Sequence, residues 1–542
     1  DVQESSAVVT SFGAAPAVQI GSTQQTVTLG VVGAGDQAYG FINDGQIMAE
    51  GVYDDVDANG LAVGVEGGQA VTIAGGVRNR GSVTATAVQG GAATAIRLRD
   101  GASTPVIVNA GTISALVTST DANDAVAIRV DAGGGLSELN NSGAIVANVS
   151  GHAGSAVAVQ DLSGTLSTVT NTRTIAGTIS RTSTSPVLGR GVALDLRANT
   201  SGVSIIQFGE AATPTEADPD TDGDGVPDSR EPAIIGDVRL GSGSDLVDIR
   251  NGVLLGAVEF GGGADRLIIS GGAEVRGALS SSNGLLDIDV SNGVLESRHS
   301  GQLNVTSLNV GPDSTLILAV DPANGVDAGF RVNGTANLAA GTEMGVRFLS
   351  LLDAPTRINI IQADTLNAGA LDLSNISDNS PYLFRVEAGV DQASNAVFVD
   401  ARRRTAAEAG LIATEAAIYD AVYRALEDNE SLRASILDQT GRDGFINLFE
   451  QMLPDHGGGP LMSLATGVDA VTRALTGRNA SAAPGQTSAW VQEINFYADK
   501  DKTESYGFRS EGFGVAGGIE RGSGLGAVGL SVAFTSSDLE DP

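Results

Sequence analysis

The chain contains no cysteine among its 542 residues. Disulfide bonds, thiolate metal sites and cysteine nucleophiles are therefore excluded. Aromatic residues are also scarce, at 4% of the sequence, although the apolar share is 42%. Small aliphatic and β-branched side chains must then fill the core, which favours a narrow, stacked interior over a wide globular one.

Proline is scarce as well, with 15 residues against 73 glycines. Abundant glycine without proline disfavours collagen and indicates many tight turns between short strands. No run of about 18 apolar residues occurs, so no transmembrane helix is expected. The sequence begins at Asp1 without a methionine or an apolar leader, as it would after removal of a signal peptide or in a trimmed chain.

Positive charge is the third deficit, because 31 lysines and arginines face 64 acidic residues and the formal net charge is -33. Such a surface repels phosphate backbones, so nucleic acid is not expected as a partner. The same charge attracts divalent cations and favours solubility.

A repeat of the form N-x-G-x-I/V begins at Asn43, Asn79, Asn109 and Asn141, and a fifth copy at Asn171 lacks the glycine. The intervals are 36, 30, 32 and 30 residues, with short alternating apolar runs between the copies. Stacking of such units would form one continuous core, so the pattern predicts a parallel β-helix. Asparagines at a fixed turn would form a hydrogen-bonded ladder. An antiparallel sandwich is the competing fold, and the fixed period counts against it.

Two related glycine-rich turns, residues 241–247 and 261–267, lie 20 positions apart. They partly resemble the Gly-Asp turns of calcium-binding β-rolls. A β-helix turn without metal is the favoured interpretation, and calcium binding is the alternative.

An acidic segment has the spacing D-x-D-x-D-G-x-x-D-x-x-E, which matches an EF-hand calcium loop. No amphipathic helices flank it, so it looks like the aspartate-rich calcium repeats of extracellular thrombospondin and dockerin proteins. The sequence predicts one structural Ca²⁺, and a solvated acidic linker is the alternative. The predicted ligands are the carboxylates of Asp220, Asp222, Asp224, Asp228 and Glu231 and the main-chain carbonyl of Val226.

The remaining motifs resemble those of bacterial autotransporters. Residues 303–336 are similar to the junction of pertactin-like passengers, with "L-x-V", "S-T-L-x-L-x-V-D" and "V-x-G-T-A". Residues 415–421 read E-A-A-I-Y-D-A and residues 453–459 read L-P-D-H-G-G-G, as in the linker of Sphingomonas-like autotransporters. Residues 489–533 contain "A-W-V-Q", "G-F-G-V-A-G-G-x-E" and "L-G-A-V-G-L-S-V-A", which look like the first strands of the autotransporter barrel.

This resemblance implies an all-β fold: an elongated right-handed parallel β-helix passenger, a short α-helical linker and the first strands of an antiparallel outer-membrane β-barrel. The segment from Leu461 to Leu475 corresponds to the helix that threads the barrel pore. Since three or so strands cannot close a barrel, the chain is expected to be a fragment. The expected domains are residues 1–205 (N-terminal repeats), 206–233 (calcium-type insert), 234–302 (continued β-helix), 303–400 (junction and cap), 401–487 (linker) and 488–542 (partial barrel).

The resemblance also implies a location at the outer membrane, with the passenger on the cell surface or secreted. Its expected partners are the outer membrane, the barrel assembly machinery, and copies of itself or a host or neighbour surface. The expected function is that of a non-enzymatic adhesin or structural, self-associating surface protein.

A secreted polysaccharide-acting hydrolase on a β-helix scaffold is the alternative function, because its paired carboxylates could come from distant coils. No G-x-S-x-G or H-E-x-x-H motif occurs, and the histidines His152, His299 and His456 have no nucleophile motif nearby. No catalytic residue is therefore predicted.

Overall fold

A computed structural model describes residues 7–182, 185–221, 223–323, 327–453, 459–477, 482–503 and 507–540. The chain divides into two compact units. The first comprises Asp1–Ser380 with Val386–Arg402, and the second Pro381–Arg385 with Arg403–Pro542.

The first unit contains three long sheets in which successive strands pair in parallel. The first sheet has twelve strands, in the order Val8–Phe12, Gln46–Gly51, Ser82–Ala87, Thr112–Ser119, Ala144–Gly151, Thr174–Ser180, Ala233–Ile235, Val253–Leu255, Glu274–Gly277, Val294–Ser297, Thr315–Val320 and Glu343–Phe348. The second has nine, Val18–Ile20, Ala58–Val63, Ala93–Leu98, Ala125–Val130, Ala156–Asp161, Gly191–Asp195, Asp237–Arg239, Val258–Phe260 and Leu279–Ser281.

The third sheet collects the remaining strands of the repeats, one or two from each. Its strands are Val27–Leu29, Phe41–Asn43, Val71–Ile73, Val77–Asn79, Ala102–Asn109, Gly135–Asn141, Thr168–Asn171, Ser204–Gln207, Leu246–Ile249, Asp265–Ser270, Leu286–Ser291, Gln302–Val305, Ser307–Val310, Asp327–Leu338, Thr356–Asn367, Phe384–Asp391 and Ala396–Arg403. Short 3-10 helices lie at Gly35–Gln37, Asp228–Arg230 and Ile376–Asn379.

The register of these sheets explains the repeat. Ile113 pairs with Val83 on one side and Ile145 on the other, and all three are buried. Alternate residues of each strand point inward, so equivalent apolar side chains stack in columns through the unit. Three long sheets, built from parallel strands that successive repeats supply in turn, fit the predicted parallel β-helix.

The predicted period of about 30 residues is wrong for the second half of the stack. From Ala233 onward the strands of the first sheet begin at residues 233, 253, 274, 294 and 315, so each coil uses only 20 or 21 residues. Strands of three to six residues replace the earlier ones of up to eight, which shortens the coil without loss of pairing. The two glycine-rich turns 20 positions apart therefore belong to consecutive coils.

The predicted asparagine ladder is confirmed. The side-chain amide of Asn43 donates to Asn79 Oδ1 at 2.7 Å, and the chain continues through Asn109, Asn141 and Asn171 at 2.8 Å per step. All five side chains are buried.

A glutamine ends the ladder. The amide of Asn171 donates to Gln207 Oε1 at 2.9 Å, and Gln207 Nε2 donates in turn to the carbonyls of Asn251 and Val253 at 3.0 and 3.1 Å. The longer side chain of Gln207 thus connects the wide coils to the narrow ones that follow the acidic insert.

The stack ends in a different kind of pairing. Thr356–Asn367 is parallel to the strand before it, but Ala396–Arg403 pairs with it antiparallel. Large rings enter the core near this end, where Phe330 and Phe348 are among the largest fully buried side chains. Wider side chains and a reversed strand terminate the narrow aliphatic column.

The second unit combines helices with one antiparallel sheet. The helices are Ala406–Ala409, Ala413–Ala425, Glu430–Leu437, Arg442–Gln451 and Gly459–Thr476. The sheet, here called the terminal sheet, consists of Thr487–Lys500, Phe508–Ser523 and Gly526–Glu540.

We expect Asn109→Ala to destabilise the stack by about 2 kcal/mol, because it leaves the Asn79 amide and the Asn141 oxygen without their mutual partner in a buried site. Denaturant unfolding of the full chain measures the change. Asn140→Ala is the matched control, since the neighbouring Asn140 side chain bonds Glu138 on the outer side of the strand. Equal losses in the two variants would show that the ladder has no special role.

Candidate functional site

The acidic loop lies between the strands Ser204–Gln207 and Ala233–Ile235. Three contacts fix it to the side of the stack. The Val226 side chain is buried, Asn251 donates its side-chain amide to Asp224, and Arg173 Nη1 donates to the Ser229 carbonyl at 2.8 Å. The segment is thus held by the coils before and after it.

The carboxylates of the loop accept hydrogen bonds from main-chain amides of the same loop. Asp220 accepts hydrogen bonds from the amides of Gly223, Asp224 and Gly225 at 2.7, 3.2 and 3.0 Å. Asp224 accepts from the amide of Val226 at 2.8 Å. Gly223 and Gly225 both have positive φ, at 77° and 94°, which permits the chain to fold tightly around the Asp220 carboxylate.

The later acidic residues are placed differently. Asp228 accepts from the amide of Thr221 at 2.8 Å and begins the 3-10 helix Asp228–Arg230. Glu231 follows that helix in extended conformation. Asp222 lies outside the described residues. Among the residues that are described, no three acidic or histidine side chains lie close enough to hold a metal ion.

The donor set of the loop nevertheless fits a hard cation, because every predicted ligand is an oxygen. Asn251 adds a further one: its Oδ1 is buried without a hydrogen-bond partner, while its amide reaches Asp224. Ca²⁺ would be held by carboxylates that already sit in one tight turn, Asp220 and Asp224, and the rest of the predicted shell stays a prediction.

The histidines include one contact that sequence patterns did not reveal. Ser297 Oγ lies 2.6 Å from His299 Nδ1, and His299 Nε2 lies 3.0 Å from the Gly329 carbonyl. Such a serine–histidine pair can activate a nucleophile, but Ser297 is fully buried and the His299 ring stacks on Phe330. Burial also lowers the pKa of His299. The pair therefore serves packing, and His456 lies outside the described residues.

A shallow groove of about 630 Å³ follows the outer face of the third sheet. A second, exposed ladder lines it: Asn367 donates to Asn337, Asn337 to Asn309 and Asn309 to Asp289, each at 2.7 Å. Arg266 donates to the same Asp289 carboxylate at 2.7 and 2.9 Å. Asp289 is the one carboxylate among the described residues that line this groove.

The terminal sheet has two chemically different faces. On one face of its last strand, Val528, Leu530, Val532 and Phe534 are each at least 74% exposed. Ile519 and Val515 of the middle strand lie opposite Leu530 and Phe534 in the register and are also exposed. Glu493 and Asn495 of the first strand are polar exceptions on this face.

The opposite face of the terminal sheet packs on the helix Gly459–Thr476. Ser463 Oγ of that helix lies 2.8 Å from Ser510 Oγ and 3.0 Å from Ser537 Oγ. Ala470 and Ala474 pack in a cluster with Ile494, Phe496 and Ala516.

The small residues of the helix make this approach possible. A Cβ on Gly467 would lie 3.2 Å from the Phe496 ring, and one on Gly512 would lie 2.2 Å from it. Ala465, another small residue of this helix, is exposed. Leu461 and Leu464 are also exposed, at 74% and 65%. In the described part of the chain, no helix is long and apolar enough to cross a membrane.

We expect the full chain to lose one equivalent of bound Ca²⁺ in the double variant Asp220→Asn/Asp224→Asn, with affinity at that site reduced at least ~100-fold, since the number of charged ligands sets calcium affinity. Isothermal titration calorimetry with CaCl₂ measures both quantities. Glu216→Gln, an exposed carboxylate outside the motif, is the control. Retention of the full stoichiometry and affinity by the double variant would remove the loop as a calcium site.

Comparison with known proteins gave no match at any level: no family model, no curated protein and no solved structure resembles the chain significantly. Its function is therefore inferred from the motifs and geometry of this chain.

Proposed function

We propose that the protein is an autotransporter, in which a β-helical passenger is displayed at the outer-membrane surface by a helical linker and a β-barrel that begins with the terminal sheet. The observation that carries this proposal is the exposed apolar face of the terminal sheet. Large aliphatic and aromatic side chains at alternate positions are directed away from all described protein atoms.

The apolar stretch of this face covers most of the length that lipid contact requires. Val528 to Phe534 covers about 20 Å at about 3.4 Å per residue. The outward apolar band of outer-membrane barrels is about 25 Å tall, and its strands alternate apolar outside with small or polar inside. The last strand follows this alternation, because Ser531, Ala533 and Ser537 point to the other side.

The helix Gly459–Thr476 supports the same proposal. It lies against the small-residue face of the terminal sheet, with serine–serine contacts at Ser463 and close packing at Gly467. A helix inside a barrel must meet small and polar side chains at short distance. We therefore propose that this helix occupies the barrel lumen.

For the passenger we propose a non-enzymatic role as an adhesin or self-associating surface protein, with one structural Ca²⁺ in the acidic loop. The outer groove on the third sheet offers a single carboxylate, Asp289, already engaged by Arg266 and Asn309. Glycoside hydrolysis ordinarily requires two carboxylates about 5–9.5 Å apart across the scissile bond. The groove is therefore better suited to contact than to hydrolysis.

The closing region of the stack supports a role in export. We propose that residues 303–399 fold first outside the cell and template the coils before them. The antiparallel pairing of Arg357 with Asp400 is reinforced by two hydrogen bonds of 2.8 and 2.6 Å, and Arg357 lies 3.9 Å from the Phe398 ring centre. A stable end removes the exposed strand edge that an uncapped stack would present.

Leu530→Lys should reduce surface display strongly, because a lysine on the lipid face costs about 2–4 kcal/mol near the bilayer midplane. Ser531→Lys, one residue away on the other face, should display the passenger close to normally. Surface labelling of the passenger on intact cells, normalised to total protein, measures the difference. Equal display by both variants would contradict the assignment of the lipid face.

Deletion of residues 303–399 should leave the upstream repeats sensitive to protease while the terminal sheet still reaches the membrane, because the stack would lose its capped end. Limited proteolysis followed by mass spectrometry identifies the cleaved repeats. Deletion of the acidic insert, residues 210–230, is the control and should preserve resistance in the repeats on both sides. Normal resistance without residues 303–399 would refute the templating role.

A further inference from the structure

Two aspartates occupy inward positions in the otherwise apolar core of the stack. Asp245 precedes the strand Leu246–Ile249 and Asp265 begins the next strand of the third sheet, Asp265–Ser270, and the register aligns the two residues with each other. Val203 aligns with Asp245 on one side and Leu286 aligns with Asp265 on the other. All four side chains are buried, with Asp245 at 2% and Asp265 at 1% exposure.

Each carboxylate has one satisfied and one unsatisfied oxygen. Asp245 Oδ1 accepts from the Val203 amide at 2.7 Å, and Asp265 Oδ1 accepts from the Asp245 amide at 3.0 Å. The Oδ2 atoms of both residues are buried without a hydrogen-bond partner. Unsatisfied buried polar atoms are rare in native proteins and often mark a missing ion.

Another buried aspartate of the stack, Asp161, has hydrogen-bond partners for both of its carboxylate oxygens. Asp161 is also 1% exposed, but its Oδ1 accepts from the amides of Ser163 and Gly164 at 2.9 and 3.2 Å. Its Oδ2 accepts from the Leu166 amide at 2.9 Å. The local turn satisfies Asp161 completely, whereas the turns at Asp245 and Asp265 do not.

The two carboxylates also oppose each other electrostatically. Consecutive coils lie about 4.8 Å apart, so two like charges meet in a medium of low dielectric constant. Burial raises the pKa of Asp245 to about 6, and the neighbouring Asp265 adds to this rise. Burial likewise raises the pKa of Asp265. At neutral pH the pair is therefore costly unless a positive charge joins it.

The glycine-rich turns that precede the two aspartates stack closely, with glycines of one turn against main-chain carbonyl oxygens of the other. A Cβ on Gly261 would lie 1.5 Å from the Gly241 carbonyl oxygen, and one on Gly263 would lie 2.2 Å from the Gly243 carbonyl oxygen. Glycine at these positions allows the two turns to stack backbone on backbone. Main-chain carbonyl oxygens, such as those of these turns, are neutral ligands of the kind that Ca²⁺ accepts.

We propose that Asp245 and Asp265 hold one Ca²⁺ between successive coils, through the Oδ2 atoms that have no protein partner. The cation neutralises the pair and joins two coils near the point where the stack narrows. This site is separate from the acidic loop, and it does not depend on the export role proposed above.

The titration of the two aspartates makes the stability of the folded protein depend on pH, and the direction of that dependence can be stated. Because the folded-state pKa of each aspartate is raised, the protonated pair contributes stability below about pH 4. For Asp245 that contribution is lost as the pH rises through about 6. In the presence of EDTA, the melting temperature of the first unit should therefore fall between pH 5 and pH 7, and CaCl₂ should restore it at pH 7.

The test compares the wild type with two variants of the full chain at pH 7.5. CaCl₂ is the probe, and calorimetric stoichiometry and melting temperature are the readouts. The wild type should bind two equivalents of Ca²⁺ and melt higher in CaCl₂ than in EDTA. Asp245→Asn/Asp265→Asn should bind one equivalent fewer. In EDTA it should melt higher than the wild type, because the amides remove the repulsion. Asp287→Asn, an outward carboxylate of the next coil, should behave as the wild type.

The loop variant Asp220→Asn/Asp224→Asn separates the two sites. It should retain the calcium-dependent rise in melting temperature if the inner pair binds the ion. Unchanged stoichiometry in the Asp245→Asn/Asp265→Asn variant would overturn the proposal. So would a pH-dependent melting temperature that calcium does not alter, since this result would mean that the pair shares a proton instead.

Discussion

Main-chain hydrogen bonding between parallel coils holds each residue at a strand or corner about 4.8 Å from its equivalent in the next coil. Any side chain in the interior therefore meets a near-copy of itself. Apolar residues gain packing from this arrangement, as the column through Val83, Ile113 and Ile145 shows. Polar residues must be able to bond their own kind, or they need an outside partner.

Asparagine and aspartate meet that requirement in opposite ways. An amide is both donor and acceptor, so Asn79, Asn109 and Asn141 satisfy one another along a ladder. An ionised carboxylate is an acceptor only, so stacked Asp245 and Asp265 cannot bond each other. The same geometry thus makes one column self-sufficient and the other dependent on a proton or a cation.

The stack changes from wide coils to narrow coils at the point where the asparagine ladder ends. The ladder ends at Gln207, whose longer side chain reaches the main chain of the shorter coils at Asn251 and Val253. The acidic insert leaves and re-enters at this step, and Asn251 also bonds its Asp224. One change in coil length therefore positions the ladder end, the insert and the first of the buried aspartates within a few coils.

The terminal sheet obeys a different rule, because its strands pair antiparallel and its large side chains gather on one face. The motifs in residues 489–533 predicted strands of an antiparallel barrel. The structure showed that the helix Gly459–Thr476 covers the small-residue face and leaves Leu530 and Phe534 exposed. Strand pairing creates this exposed apolar face, and the surrounding medium, water or lipid, is set by the environment of the sheet.

By itself the sequence determined the parallel repeat, the asparagine ladder and the oxygen-rich character of the acidic loop, because each depends on local spacing. Only the tertiary structure decided the shortened coils after Ala233, since coil length depends on which distant strands pair. It also decided which carboxylates lack a partner. The sequence marked the turn before Asp265 by its resemblance to Gly-Asp turns, but only the structure showed that Asp161 is satisfied locally, whereas one oxygen of Asp265 is buried without a partner.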